Sequence, residues 1–172
     1  MGDSATGGSV FSPRAFKGRI VDMEIAQESE IRGCDEVEIE SILSAKPSVS
    51  PPGDYIEFMR WFGRGAGNLF RGMEIYYPDC LDLNDHAEEF ALEEDPELST
   101  CGRFFFALHQ GYVLYFFCEG NSGVWAYTEG EGESRYLASS FGEYVESAFD
   151  VPGSYWRELR SMGSHVWHVE EQ

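Results

Sequence analysis

Three short stretches of the sequence carry residue types that do chemistry in other proteins: a glycine cluster, a serine in a glycine-flanked turn and a histidine pair. The cluster "GRGAG" places Gly63, Gly65 and Gly67 at alternate positions. A phosphate-binding loop places its glycines before a helix, where free backbone N–H groups point at the anion. Here the glycines follow a predicted helix, position 68 is Asn68, and no Lys-Ser or Lys-Thr pair comes after them. We therefore expect no nucleotide site, and we expect Gly63 to end the helix in a left-handed conformation.

The serine is Ser122 in "GNSGV", which is similar to the loop around the nucleophile of trypsin-like proteases. Such a nucleophile needs a histidine base and a carboxylate that orients it, whereas Asn-Ser-Gly between aromatic strands is typical of a turn. His165 and His168 form H-x-x-H, but no second close ligand pair accompanies them, so surface or packing roles are favoured over zinc binding. We expect no catalytic, cofactor or metal site. A hydrolase that uses Ser122 or the histidines is the remaining enzymatic alternative.

An acidic block spans residues 79–97 and contains no lysine or arginine. A charge run of this kind is usually a solvated face. So many carboxylates in a short segment also repel one another, and a basic partner would relieve that repulsion. The loop pattern of a calcium-binding EF-hand is absent. The solvated face and the partner surface both remain open, and the candidate partner-binding residues are Asp79, Asp82, Asp85, Glu88, Glu89, Glu93, Glu94, Asp95 and Glu97.

The composition narrows the class of partner and compartment. The 172 residues include 31 Asp and Glu against 12 Lys and Arg, which gives a formal net charge of −19. A chain so acidic repels phosphate, so direct binding to nucleic acid or to an anionic membrane is disfavoured and a basic partner is favoured. The four widely spaced cysteines indicate free thiols in a reducing compartment. No secretion signal is recognisable and the longest apolar run, at 112–118, is too short to span a bilayer, so we expect a cytoplasmic protein.

Hydrophobic periodicity predicts the elements. Helices are expected at 34–46, 52–62 and 140–149, with capping boxes formed by Asp35 with Glu38 and by Ser140 with Glu143. Strands are expected at 18–26, 69–77, 103–109, 111–118, 124–128 and 134–138. Residues 79–97 are expected to be helix or loop, with a further short helix around 154–162. The predicted core-facing helix residues are Ile39, Ile42, Leu43, Tyr55, Phe58, Met59, Phe62, Leu83, Ala87, Phe90, Phe141, Tyr144, Val145 and Ala148.

The order of helices, a run of strands and a closing helix favours an α+β fold, with an antiparallel sheet of about four to six strands packed against helices. A chain of this length most simply forms one domain. We expect a flexible N-terminus at 1–13, a single domain at 14–150, and a C-terminal extension at 151–172 that packs on or beside the domain.

Three motifs in fixed order resemble the SUKH superfamily, the Smi/Knr group. They are a helix that ends in glycines, a hydrophobic hairpin and a final Ser-Phe helix, and the matching residues are Pro52, Tyr55, Phe58, Gly63, Gly65, Ser140, Phe141 and Val145. The resemblance extends from about residue 35 to 149. It implies a Smi/Knr-like (SUKH) fold without catalysis that acts by binding protein. Bacterial members are most often immunity proteins that neutralise secreted toxins, many of them nucleases, and fungal relatives regulate cell-wall synthesis and signalling through partners.

The resemblance and the charge together predict a cytoplasmic immunity protein that occludes a cognate toxin with a basic surface. The acidic block is expected at the interface, and no cofactor is expected. An intracellular regulatory or scaffold module that binds another protein remains the alternative.

Overall fold

The computed structural model describes residues 10–149 and Trp156. Five helices and seven strands occur within these residues. The helices are α1 (Pro13–Asp22), α2 (Glu36–Ser44), α3 (Gly53–Phe62), α4 (Leu83–Glu93) and α5 (Phe141–Glu146). The strands are β1 (Ile31–Arg32), β2 (Gly65–Ala66), β3 (Met73–Glu74), β4 (Arg103–His109), β5 (Val113–Cys118), β6 (Val124–Thr128) and β7 (Ser134–Ala138). Short 3-10 segments lie at Glu28–Glu30, Asp79–Asp82 and Ser147–Phe149.

Strands β3 to β7 form an antiparallel sheet in chain order, so each strand pairs with the next one along the sequence. The turn between β4 and β5 places Gln110 and Gly111 at φ values of 52° and 80°, which suit a tight hairpin between twisted strands. β1 and β2 form a separate antiparallel pair. The predicted α+β fold with an antiparallel sheet is therefore confirmed.

Helices α3 and α5 pack on one face of the sheet, here called the first face. Four α3 residues at helical spacing are fully buried, as predicted: Tyr55, Phe58, Met59 and Phe62. The Tyr55 ring lies 5.4 Å from the ring of Phe117 in β5 and 5.3 Å from that of Phe141 in α5. One aromatic cluster thus joins both helices to the sheet.

The strand predicted at 18–26 is wrong, because α1 occupies Pro13–Asp22. Ser12 caps this helix by accepting a hydrogen bond from the Ala15 N–H at 3.4 Å, and proline is well suited to the first helical position. Phe16 and Ile20 share one face of the helix and are buried. The helix therefore begins inside the segment predicted to be flexible, of which residues 1–9 lie outside the described residues.

The predicted left-handed conformation of Gly63 is also wrong, since its φ is −61°. Close contact requires glycine there instead, because a Cβ at this position would lie 2.4 Å from the Met59 carbonyl oxygen and 2.5 Å from the Cys34 sulfur. The positive φ values fall on Gly65 and Gly67, at 152° and 60°. Glycine thus serves packing at the first position and backbone geometry at the next two.

Backbone N–H groups of this loop bond to other parts of the chain. Those of Arg64 and Asn68 donate to the carbonyls of Arg32 and Ile25, each at 2.9 Å. These bonds occupy donors that a phosphate cradle would need to keep free.

Helix α2 lies within its predicted range and carries the predicted capping box. The Glu38 N–H donates to the Asp35 carboxylate at 2.9 Å, and the Asp35 N–H donates to the Glu38 carboxylate at 3.0 Å. Leu43 was predicted to face the core but is 37% exposed. It follows Ile42, whose side chain is buried, and one residue turns a helix by about 100°, which carries Leu43 toward solvent.

The end of the domain agrees with the prediction only in part. Ser140 caps α5 by accepting the Glu143 N–H at 3.1 Å, but the Glu143 carboxylate accepts the N–H of Ser139 at 2.7 Å, so the reciprocal half of the box is displaced by one residue. Phe141 and Val145 are buried, whereas two other predicted core residues, Tyr144 and Ala148, are partly exposed. The helix predicted at 154–162 lies outside the described residues, except for the buried Trp156.

The strand predicted at 69–77 shortens to β3, Met73–Glu74. Phe70 and Gly72 have φ values of 53° and 84°, and such left-handed residues turn the chain away from the extended conformation.

Candidate interaction surface

Helix α4 brings the acidic block to the opposite face of the sheet, here called the second face. Tyr115 and Phe117 of β5 contact α5 and α3 on the first face, so Leu114 and Phe116 point to the second. Three α4 residues are buried as predicted: Leu83, Ala87 and Phe90. The opposite side of α4 therefore presents the carboxylates of the block to solvent.

Asn84 fixes α4 to the edge of β4. Its side chain is 2% exposed. The amide nitrogen donates to the Phe105 carbonyl at 3.1 Å, and the amide oxygen accepts the Phe105 N–H at 2.8 Å. Since β3 pairs only with Leu108 and His109, the Asn84 amide replaces the missing strand neighbour at Phe105. No sequence pattern indicates this role, because a single polar residue in a polar helix has no periodicity.

Asp95 differs from the rest of the block, because it is buried, with 7% of its surface exposed. Its carboxylate accepts hydrogen bonds from Tyr127 Oη at 2.7 Å and from the Gly130 N–H at 3.2 Å. The Tyr127 bond is the main cause that holds the pKa of Asp95 below its usual range. Burial, followed by the bond to Asp95, raises the pKa of Tyr127 to about 12. Asp95 is therefore a clamp that ties the end of α4 to the β6–β7 hairpin, and its carboxylate does not belong to the exposed surface.

The other eight candidate residues are exposed: Asp79, Asp82, Asp85, Glu88, Glu89, Glu93, Glu94 and Glu97. Glu88 forms an ion pair with Lys46 at 2.5 Å. Within residues 10–149, the other seven side chains form neither a hydrogen bond nor an ion pair. Their charges face solvent without internal compensation, which leaves them available to a basic surface.

The β6–β7 hairpin adds three exposed carboxylates that were not among the candidates: Glu129, Glu131 and Glu133. The Asp95 clamp holds this hairpin beside the end of α4. The Glu97 carboxylate also lies against Gly132, where an added Cβ would stand 2.6 Å from Oε2. The signal in the sequence for these three residues is the run "EGEGE" at 129–133. We call the eight exposed carboxylates of the block and these three glutamates the acidic face.

A surface cavity of about 600 Å³ lies near the start of α4. Its lining combines exposed carboxylates of Glu74, Asp79 and Asp82 with the buried side chains of Leu83 and Leu108. A lysine or arginine side chain has matching parts, because its methylene stem packs on apolar surface while its charged end meets carboxylates.

Four basic residues of α1, α3 and the loop after α3 form local ion pairs. Their ion pairs are Lys17 with Glu28, Arg19 with Glu146, Arg60 with Glu36 and Glu57, and Arg64 with Glu38. These bases therefore do not compensate the acidic face.

The residues considered for catalysis are dispersed. Ser122 is exposed in the turn after β5 and donates to the Ser139 carbonyl at 3.1 Å, whereas His109 lies at the opposite end of the β4–β5 pair. Burial raises the pKa of Cys34 to about 11 and that of Cys80 to about 12, so both thiols are protonated and weakly nucleophilic near neutral pH. His165 and His168 lie outside the described residues.

Among residues 10–149 and Trp156, no group of three His, Cys, Asp or Glu side chains is arranged to hold a metal ion. In the same part of the chain, no helix has the length and apolar character needed to cross a bilayer.

Comparison with family models gives a match over residues 33–147 to the SMI1 / KNR4 family (SUKH-1). The matched segment is more than half of the chain and contains α2 to α5, the whole sheet and the acidic face. A comparison with curated proteins finds no match.

Proposed function

This chain belongs to the SMI1/KNR4 family (SUKH-1), and from that premise we propose that it is an immunity protein, a non-catalytic domain that neutralises a cognate secreted toxin by binding it. Proteins of this superfamily are commonly immunity proteins. The toxin would be blocked by occlusion, with one copy of this chain for each toxin.

The acidic face is the observation that carries this proposal. Its carboxylates extend along α4 to the β6–β7 hairpin, and within residues 10–149 only Glu88 among them is paired with a base. A dense set of like charges that the fold itself leaves unpaired costs self-repulsion, and an oppositely charged partner relieves it. The same field accelerates encounter with that partner.

A nuclease toxin fits this chemistry. Enzymes that bind nucleic acid place lysine and arginine along the path of the phosphates. A row of carboxylates on a rigid helix can cover such a path and exclude the substrate. The acidic cavity near Asp79 and Asp82 has the size and polarity to take one of the basic side chains.

Co-expression tests the proposal. The product of the gene next to this one is expressed, with and without this chain, in a host that it poisons. The molar mass of the purified pair is then measured by light scattering. We expect restored growth and a one-to-one complex. No rescue and no complex with any neighbouring gene product would contradict the immunity function, and a stable complex with a resident cellular protein instead would favour the regulatory or scaffold module.

A further inference from the structure

A row of aromatic side chains crosses the second face of the sheet, one from each of four neighbouring strands. The register pairs Phe105 with Phe116, Phe116 with Trp125, and Trp125 with Tyr136. Phe105 and Phe116 are buried, Trp125 is partly exposed, and Tyr136 is 52% exposed. The rings of Trp125 and Tyr136 meet edge to face at 5.1 Å. The row therefore passes from the core to solvent as it reaches β7, the strand at the edge of the sheet.

Arg103 lies over the buried part of this row. Its guanidinium carbon is 4.3 Å from the centre of the Phe116 ring, within the range of a cation–π contact. Within residues 10–149, no carboxylate pairs with Arg103, although the chain has 31 acids for 12 bases. Its position is partly buried. A planar cation that is held in place and only partly hydrated is well prepared to bind a carboxylate.

We propose that Arg103, Trp125 and Tyr136, the aromatic–arginine patch, form the affinity-determining centre of the interface with the toxin, and that the toxin places an aspartate or glutamate side chain on Arg103. This inference rests on the proposed immunity function and specifies which surface supplies the binding energy. Arginine, tryptophan and tyrosine are the residue types that contribute most at the centres of protein interfaces.

The charges around the aromatic–arginine patch indicate which charges the toxin surface should carry. The patch lies on the same face of the sheet as α4, and its strands β6 and β7 lead into the acidic hairpin with Glu129, Glu131 and Glu133. The matching toxin surface therefore has one carboxylate set among lysines and arginines. Interfaces commonly combine such a central anchor with a charged rim, because the anchor slows dissociation while the rim speeds association.

A short peptide of that chemistry tests the patch directly. The probe is acetyl-Lys-Lys-Leu-Asp-Leu-Lys-Lys-amide, and the matched peptide has Asn in place of Asp. The protein is labelled with 5-fluorotryptophan, and the Trp125 signal is assigned with Trp125→Phe. We expect the Asp peptide to shift this signal saturably and to bind roughly tenfold more tightly than the Asn peptide, since the charge-assisted pair is lost in the latter.

Variants of the protein provide the controls. Arg103→Gln should lower the affinity for the Asp peptide about tenfold. Arg135→Gln removes the same charge, but Arg135 is exposed on the first face of β7, so this substitution should change the affinity by no more than about twofold. Tyr136→Ala, at an exposed site, keeps the test valid if Arg103→Gln fails to fold. Equal affinities of the two peptides, or of the wild type and Arg103→Gln, would overturn the proposal. A Trp125 signal that shifts with protein concentration alone would do the same, because the occupant would then be a second copy of this chain.

The toxin from the neighbouring gene separates this inference from the proposed function. Arg103→Gln and Tyr136→Ala should each weaken the complex at least about tenfold, mainly through faster dissociation. A toxin that binds the wild type and both variants equally would overturn the patch and leave the immunity function standing. A specific peptide response without any toxin complex would support the patch and contradict the immunity function.

Discussion

Replacing Asn84 with Ala should be strongly destabilising, although the change removes only one polar side chain from a surface helix. The Asn84 amide forms two hydrogen bonds with Phe105, at 2.8 and 3.1 Å. Asn84 and Phe105 are 2% and 1% exposed, so water does not reach the backbone groups that the substitution leaves unpaired. Each such group costs about 1–3 kcal/mol. The free energy of unfolding should therefore fall by about 2–6 kcal/mol, which corresponds to roughly 4–24 °C in melting temperature for a chain of this size.

Urea unfolding of the wild type and Asn84→Ala measures this loss, and hydrogen exchange at the Phe105 amide locates it. The matched control is Asp85→Ala, the next residue of α4, which is exposed and whose side chain forms neither a hydrogen bond nor an ion pair within residues 10–149. The control should change stability by no more than about 0.5 kcal/mol. If Asn84→Ala behaves like the control and the Phe105 amide exchanges no faster, the strand-like role of the Asn84 side chain is refuted.

Phe58→Ala should lower the free energy of unfolding by about 3–5 kcal/mol, the cavity cost of a buried aromatic; an unchanged melting temperature would contradict the packing of α3. Exchange of Glu88, Glu89, Glu93 and Glu94 for Gln should slow association with the toxin and flatten its salt dependence, because these exposed charges act over a Debye length of about 8 Å at physiological ionic strength. Surface plasmon resonance at two salt concentrations checks this, and equal association rates would rule out steering by the block. Asp95→Asn should be less stable than the wild type at pH 7, and the difference should shrink as the pH falls below about 4, because the lowered pKa of Asp95 contributes stability that is lost on protonation. Thermal melts of both proteins between pH 7 and pH 3 test the sign, and a difference that stays constant would show that the Asp95 charge is not involved.

The elements that the sequence predicts well are those whose signal is local. The spacing of Tyr55, Phe58 and Phe62 is enough to place α3 and its buried face, because one helix side then has to meet the core. The same logic failed for α1. The strand predicted at 18–26 begins after Phe16 and so separates Ile20 from its partner one helical turn earlier. The Ser12 cap and Pro13, which mark the start of the helix, fall within the segment 1–13 that is predicted to be flexible. Gly63 shows a different limit, because one of the two atoms that exclude a side chain there, the Cys34 sulfur, comes from a distant part of the chain.

The candidate surface also has features that the local sequence predicts and features that depend on distant residues. A run of acids is visible in any sequence, and its exposure follows from its charge. That Asp95 is buried, however, depends on Tyr127 and Gly130, more than thirty positions away, and nothing local distinguishes it from Glu94 or Glu97. The aromatic row cannot be predicted from the sequence either, because its four side chains become neighbours only through the register of four strands.

Asn84 and Asp95 hold α4 in place, whereas the acidic face is exposed, and this separation affects how the protein can evolve. Seven exposed carboxylates of the block make no internal side-chain contact by hydrogen bond or ion pair within residues 10–149, so exchanging one for another polar residue alters stability by only about 0.5 kcal/mol or less. The buried side chains of Asn84 and Asp95 attach α4 to β4 and to the β6–β7 hairpin. Mutations can therefore accumulate on this surface one at a time while the scaffold stays folded, and each changes the charge pattern shown to a partner. Such a scaffold is evolvable, because the charge pattern of its surface can change while its fold stays the same.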